Sequence, residues 1–202
     1  MFDSSIVLVL VSQFFCATMY GLASPFLPTV FEEKDIATIW TGFIFAVYAI
    51  AMMGSSLVVG KILDKYSHRI IIVLGCLLMA ISVACFGLIE RLEAVYVIAI
   101  SIVLRIGSGK FTSLKLSNTF IGIGSAHGMI ATANFSYVAQ AYPGKVVTLI
   151  ALLEAMCGVG NMMGPVIGSA VYGFMGFSDT FYFFGACMIP ITLAILFCLR
   201  SA

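Results

Sequence analysis

The sequence predicts an all-α integral membrane protein with six membrane-spanning helices. Of its 202 residues, 62% are hydrophobic and only 9% are charged, whereas a soluble domain carries about 25% charged residues. The hydrophobic residues form runs that approach the roughly 20 residues needed to cross a bilayer. Since backbone amides have no water partners in lipid, each run is predicted to be helical. The lipid bilayer is therefore an expected partner, and the formal net charge of +1 gives no support for binding to nucleic acid.

Six apolar runs divide the chain, which is interpreted as a single domain over residues 1–202. The runs cover residues 6–29, 39–62, 70–89, 94–141, 146–174 and 181–199. All six cysteines lie inside these runs, and none belongs to a C-x-x-C pair. This placement indicates small buried side chains rather than disulfides or a metal site.

The basic residues predict how the chain is oriented. With the N-terminus inside, the cytoplasmic side receives Lys61, Lys65, Arg69, Lys145 and Arg200. The opposite loops receive only Lys34 and Arg91, which stand among acidic residues. Cytoplasmic loops of membrane proteins carry an excess of Lys and Arg. Both termini are therefore predicted to be cytoplasmic, in either a plasma membrane or a vesicle membrane.

The fourth run is too long for one straight crossing. Residues 94–141 would form a helix of about 72 Å, whereas the hydrocarbon core is about 30 Å thick. The polar stretch 107–121 interrupts this run and is interpreted as a late insert, such as a retained intron or splice variant. If it belongs to the protein, its lysines should leave the hydrocarbon. A short segment before residue 106 and a crossing at about 119–141 would result.

Three ionisable residues inside the runs are candidates for proton coupling: Glu154, Arg105 and His127. A carboxylate in hydrocarbon is costly unless it is paired or protonated, so Glu154 should face the protein interior. Arg105 could hold that carboxylate or bind an anionic substrate. The alternatives are a fixed pair of Glu154 with Arg105 or His127, and a structural interior role for His127. Without the insert, Arg105, His127 and Asn134 recur every seven residues on one helix face.

The fifth run combines a glycine repeat with a polar stripe. Gly160, Gly164 and Gly168 recur every four residues and allow close approach of a neighbouring helix, either for packing alone or for packing with a bend at Pro165. One stripe of the same helix carries Glu154, Gly158, Asn161, Pro165 and Tyr172. In the first run, Gln13 and Tyr20 share a face. The candidates for lining a substrate cavity are therefore Gln13, Tyr20, Asn134 and Asn161.

Two motifs carry a family resemblance. The stretch between the second and third runs contains Gly60, Asp64, Lys65, Ser67 and Arg69. Their spacing resembles the loop signature of the major facilitator superfamily. The fifth-run motif Gly160-x3-Gly164-Pro165-x2-Gly168 is similar to the signature of its proton-coupled antiporters. The surrounding phrase, from Leu153 and Glu154 to Gly160, resembles vesicular-amine and polyamine-type members.

This resemblance implies a six-helix N-terminal half of a twelve-helix transporter, built from two inverted repeats of three helices. It implies a midplane site between two halves and transport by alternating access. It also implies that Asp64 and Arg69 latch the halves together on the cytoplasmic side. The expected function is proton-coupled antiport of a small organic solute, with an amine or drug-like substrate possible.

A transport cycle would need a second six-helix half from the same or another chain, so solute, protons and that half are the expected partners. One alternative is a scaffold or regulatory half that does not transport, and another is an inactive truncated splice product. An enzyme is not expected, since no nucleophile–base or metal-ligand spacing occurs. No metal, nucleotide or covalent cofactor is indicated.

Overall fold

The computed structural model describes residues 3–33, 39–91 and 111–199, and these ranges are helical apart from short connections. They contain six helices and no strand. The helices are α1 Ser4–Glu33, α2 Ile39–Ile62, α3 His68–Arg91, α4 Phe111–Ala141, α5 Val146–Met175 and α6 Phe177–Cys198. The predicted all-α class is thus confirmed.

The helices pack as two interleaved sets of three. The most extensive contacts join α1 to α5, α2 to α4, and α3 to α6, and α3 also packs against α4. Suppose that α1, α2 and α3 correspond to α4, α5 and α6 as two repeats. The α1–α5 contact then corresponds to the α2–α4 contact, and the α3–α6 contact corresponds to itself. This correspondence is the contact pattern that a three-plus-three repeat produces.

Five of the six helices are long and apolar enough to cross a membrane, and α4 is the exception among the described residues. The difference follows from the position of α4, which contacts α1, α2, α3 and α5. From Ile123 to Val138 most of its residues are buried. A helix that packs on its neighbours rather than on lipid can carry more polar side chains, provided that they find partners inside the protein.

Glycine lets α5 lie directly against the backbone of α1. A Cβ atom on Gly160 would lie 2.5 Å from the carbonyl oxygen of Phe14, and one on Gly164 would lie 2.6 Å from that of Thr18. From the α1 side, a Cβ on Gly21 would lie 2.8 Å from the carbonyl oxygen of Asn161. These distances leave no room for any side chain, so the glycine repeat of α5 is the surface that packs on α1.

Two details differ from the sequence-based interpretation. The helix α4 begins at Phe111, so residues 111–121 continue the helix, although 107–121 was predicted to interrupt it. Residues 94–110, including Arg105, lie outside the described ranges. In addition, α1 continues to Glu33, four residues beyond the predicted end of the first run. All six cysteines are free, in agreement with the expectation of no disulfide.

Candidate functional site

A buried amide cluster joins α4 to α1. Asn134 is fully buried, and its Nδ2 donates to Gln13 Oε1 at 3.0 Å and to Ser12 Oγ at 3.1 Å, with the carbonyl oxygen of Val9 at 3.5 Å. Gln13 and Ser12 are equally buried. Asn134 is more than 120 residues from Ser12 and Gln13 in sequence, so only the packing of α1 on α4 brings it to them.

The polar cluster continues onto α5. Cys157 of α5 lies beside Gln13, and Asn161 Nδ2 donates to Cys157 Sγ at 3.8 Å. Cys157 and Asn161 are half-buried, and Glu154, one turn before Cys157, is exposed. The polar chain, meaning the row of polar side chains Asn134, Gln13, Cys157, Asn161 and Glu154, therefore leads from the buried core to the open face of α5, where Glu154 has no hydrogen-bond partner among the described residues.

Within the described residues, two acceptors of the polar chain have no donor. Asn134 Oδ1 and Asn161 Oδ1 are both shielded, and no described residue donates a hydrogen bond to either of them. A shielded acceptor without a donor costs about 1–3 kcal/mol. Such groups are rare in native structures, and each one requires an explanation.

A second polar contact joins α2 to α4. The Tyr48 hydroxyl and His127 Nδ1 are 2.5 Å apart, and both side chains are buried. The Tyr48 ring stacks on Tyr20 of α1 with 4.1 Å between ring centroids. His127 therefore has a partner within the protein, and it lies on the same side of α4 as Asn134.

We expect Tyr48→Phe to destabilise the chain by about 1 kcal/mol, because it leaves His127 Nδ1 buried without its partner. The double variant Tyr48→Phe with His127→Leu should lose less than the sum of the single variants, since it removes both groups. Thermal unfolding in detergent measures these effects. Tyr172→Phe is the control, because Tyr172 is exposed and its hydroxyl has no described partner. Equal losses for Tyr48→Phe and Tyr172→Phe would refute the buried bond.

The loop between α2 and α3 is anchored by a residue that the motif analysis did not select. His68 is buried, its Nε2 lies 3.0 Å from Ser136 Oγ, and its ring contacts Tyr137 edge to face. Arg69 Nε is shielded and has no hydrogen-bond partner among the described residues. Within the same residues, Asp64 and Arg69 form no ion pair with each other.

The structure brings together some of the residues proposed from sequence and separates others. Gln13, Asn134 and Asn161 belong to one polar chain, whereas Tyr20 lies beside it in the aromatic stack. His127 bonds Tyr48, and no described contact joins it to Glu154. Arg105 lies outside the described ranges, so its pairing with Glu154 stays a prediction.

Sequence reasoning missed Ser12, Tyr48 and Cys157. Ser12 adjoins Gln13, which was a usable signal for a polar position on α1. Tyr48 sits in an apolar run of α2 and gave no signal by itself. Cys157 was interpreted only as a small buried residue, yet it contacts both Gln13 and Asn161. Its partners could not be identified before the helix pairing was known.

Comparison with known proteins places these features in a wider group. The sequence profile of the Major Facilitator Superfamily matches residues 9–201. The chain is 31% identical over 185 residues to the MFS-type transporter SLC18B1 of Rattus norvegicus, covering 90% of this chain and 37% of the relative. The human protein of that name is 26% identical over 181 residues, covering 88% of this chain and 36% of the relative.

A bacterial relative gives a similar alignment. Multidrug resistance protein 2 of Bacillus subtilis (strain 168) is 23% identical over 207 residues, which cover 99% of this chain and 45% of the relative. The chain thus spans a little more than a third of the SLC18B1 proteins and less than half of the bacterial relative.

Proposed function

The chain belongs to the Major Facilitator Superfamily, and from this premise we propose that it moves a small organic solute across a membrane by alternating access, coupled to protons in antiport. The observation that carries this proposal is the polar chain, which begins at the buried Asn134 and Gln13 and ends at the exposed Glu154. It crosses three helices of an otherwise apolar bundle, where polar groups are costly and commonly mark a pathway for substrate or ions. A drug-like or amine solute accords with the name of the bacterial relative, a multidrug resistance protein, and with the motif around Glu154.

Glu154 is the proposed proton carrier. It is exposed on α5 in the described structure, and no described residue fixes it in a hydrogen bond or ion pair. Because such a carboxyl group can change its protonation state when its surroundings change, it can respond to the conformational cycle. Arg105 is proposed as its partner, and His127 as a second titratable group on α4.

The open faces of α2 and α5 are proposed to meet a second six-helix half. Among the five helices that are long and apolar enough to cross a membrane, α2 and α5 have the smallest buried fraction. Large apolar side chains stand out from both, among them Ile50, Met53, Leu57, Met162 and Val166. Contact with a second half would cover these faces and enclose Glu154 between the halves. Asp64 and Arg69 are proposed to latch the halves on the cytoplasmic side.

The purified chain in liposomes tests this function. The solute is ethidium, which carries a permanent charge, so that a pH gradient does not redistribute it passively. Entrapped DNA reports its entry by fluorescence. We expect faster uptake with an acidic lumen than without the pH gradient, because luminal protons then leave in exchange for the entering ethidium. In a pure preparation, the only available second half is another copy, so the transporting species should have twice the mass of one chain.

The rival is a scaffold or regulatory half that does not transport. A stable monomer that takes up no ethidium under any gradient would support that rival and overturn the proposed transport. An inactive truncated product would also take up no ethidium, but it would fail to give a stable, uniformly sized species. Size measurement by light scattering therefore accompanies the uptake assay.

A further inference from the structure

Two amide oxygens lack a donor among the described residues, Asn134 Oδ1 on α4 and Asn161 Oδ1 on α5. Both helices pack on α1. Gln13 of α1 accepts from Asn134 through Oε1 and lies beside Cys157, which accepts from Asn161.

The orientation of the Asn134 amide is fixed by its neighbours. The hydroxyl of Ser12 donates its only proton to the carbonyl oxygen of Val9 at 2.8 Å. Toward Asn134, Ser12 can therefore only accept, and so can the carbonyl oxygen of Val9. The amide nitrogen must face these acceptors, and the oxygen must be the atom that is left without a partner. The vacant position consequently needs a donor.

The Asn161 amide leaves the same kind of vacancy. Its nitrogen is directed at Cys157 one turn earlier, and its oxygen is shielded without a donor. Both vacancies are neutral acceptors. The nearest carboxylate along α5 is Glu154, seven residues before Asn161, which corresponds to about 10 Å along the helix. The two oxygens can therefore accept hydrogen bonds from N–H groups, whether or not those groups carry a positive charge.

We propose that Asn134 Oδ1 and Asn161 Oδ1 accept hydrogen bonds from N–H groups of the transported solute, and so select solutes by the donors they carry. This inference rests on the proposed function, because it assumes that a solute enters the bundle. Both oxygens are shielded in the described conformation. A solute therefore reaches them only when the side chains around Gln13 and Asn161 rearrange.

The aromatic stack beside the polar chain favours flat solutes. Tyr20 is half-buried and lies face to face with Tyr48. The outer face of a tyrosine ring can stack on a planar solute. A planar aromatic compound with exocyclic N–H groups would thus use both features of the site.

Two fluorescent dyes provide a matched test. Proflavine and acridine orange share one tricyclic cation, but acridine orange carries methyl groups in place of the hydrogens on its two exocyclic nitrogens. We expect the purified chain in lipid nanodiscs to bind proflavine about tenfold more tightly, since one lost hydrogen bond corresponds to roughly that ratio. Fluorescence anisotropy at equilibrium, without a pH gradient, measures both affinities.

Substitutions of the two asparagines test whether their oxygens cause the preference for proflavine. Asn161→Leu and Asn134→Leu should each reduce the preference for proflavine. Gln140→Leu is the control, because it makes the same chemical change on the exposed side of α4, away from the polar chain. If Asn134→Leu does not fold, Asn161→Leu carries the test, since it leaves the cluster around Asn134 intact.

The outcomes separate this inference from the proposed function. Equal binding of the two dyes would overturn donor selection, and it is also the result expected if only water fills the vacancies, yet transport of ethidium could still occur. A preference for proflavine that both asparagine variants retain would overturn the assignment to these oxygens. Binding of neither dye would count against the inference and, together with absent ethidium uptake, against the proposed function.

Discussion

Gly164→Leu is expected to separate α5 from α1 and to destabilise the chain by about 3 kcal/mol or more. A Cβ atom at this position would lie 2.6 Å from the carbonyl oxygen of Thr18, 2.8 Å from the amide nitrogen of Leu22 and 2.9 Å from the carbonyl carbon of Gly21. All three are backbone atoms, which cannot turn aside as a side chain can. The larger residue can be accommodated only if α1 moves.

The matched control lies on the same helix. Gly158→Leu introduces the same side chain at a position where a Cβ atom would meet nothing within 4 Å. For a chain of this length, a loss of 3 kcal/mol lowers the unfolding midpoint by roughly 6–12 °C. Thermal unfolding in detergent should show this decrease for Gly164→Leu and little change for Gly158→Leu. Similar midpoints for the two variants would contradict the packing of α5 on α1.

Glu154→Gln is expected to abolish ethidium uptake driven by an acidic lumen. Glutamine preserves the shape of the side chain and can still form hydrogen bonds, but it cannot exchange a proton. Because Glu154 stands on the open face of α5 without a described partner, the substitution should leave the packing of the helices unchanged. The loss should therefore appear in driven uptake, while the unfolding midpoint stays at the value of the unmodified chain.

Asp179→Asn is the control for removal of an acidic group. Asp179 lies in the first turn of α6, away from the polar chain that includes Glu154. Its substitution should leave driven uptake in place. Uptake that survives Glu154→Gln at the original rate would remove Glu154 from the proposed coupling.

Much of the fold follows from the sequence because the bilayer restricts what the backbone can do. The predicted run 39–62 coincides with α2, since lipid requires every amide in it to be bonded within the helix. The glycine repeat of α5 also predicted a packing surface, because three glycines at intervals of four allow close approach of another helix. What the repeat could not reveal was the identity of that helix, which the structure shows to be α1.

The fourth helix marks where the reasoning failed. Its polar start at 111–121 was interpreted as an interruption, because hydropathy describes contact with lipid and contains no information about neighbouring helices. Since α4 packs on four other helices, polarity alone did not indicate where its helix begins.

The candidate site was predictable in part, for the same reason. The sequence shows three polar residues in apolar runs, Gln13, Asn134 and Asn161. The free-energy cost of placing a polar side chain in lipid requires them to face the protein interior. Their connection through Cys157, and the pairing of His127 with Tyr48, depend on contacts between residues that are distant in sequence. A single sequence does not contain those contacts.

Proton movement caused by the solute is the most direct test of the proposed exchange. Liposomes with an acidic lumen carry the purified chain and an entrapped pH-sensitive dye, and ethidium is added outside. The proposal predicts that the luminal pH rises on addition of ethidium, and that Glu154→Gln removes this rise. A luminal pH that behaves as it does in liposomes without protein would contradict proton-coupled exchange by this chain.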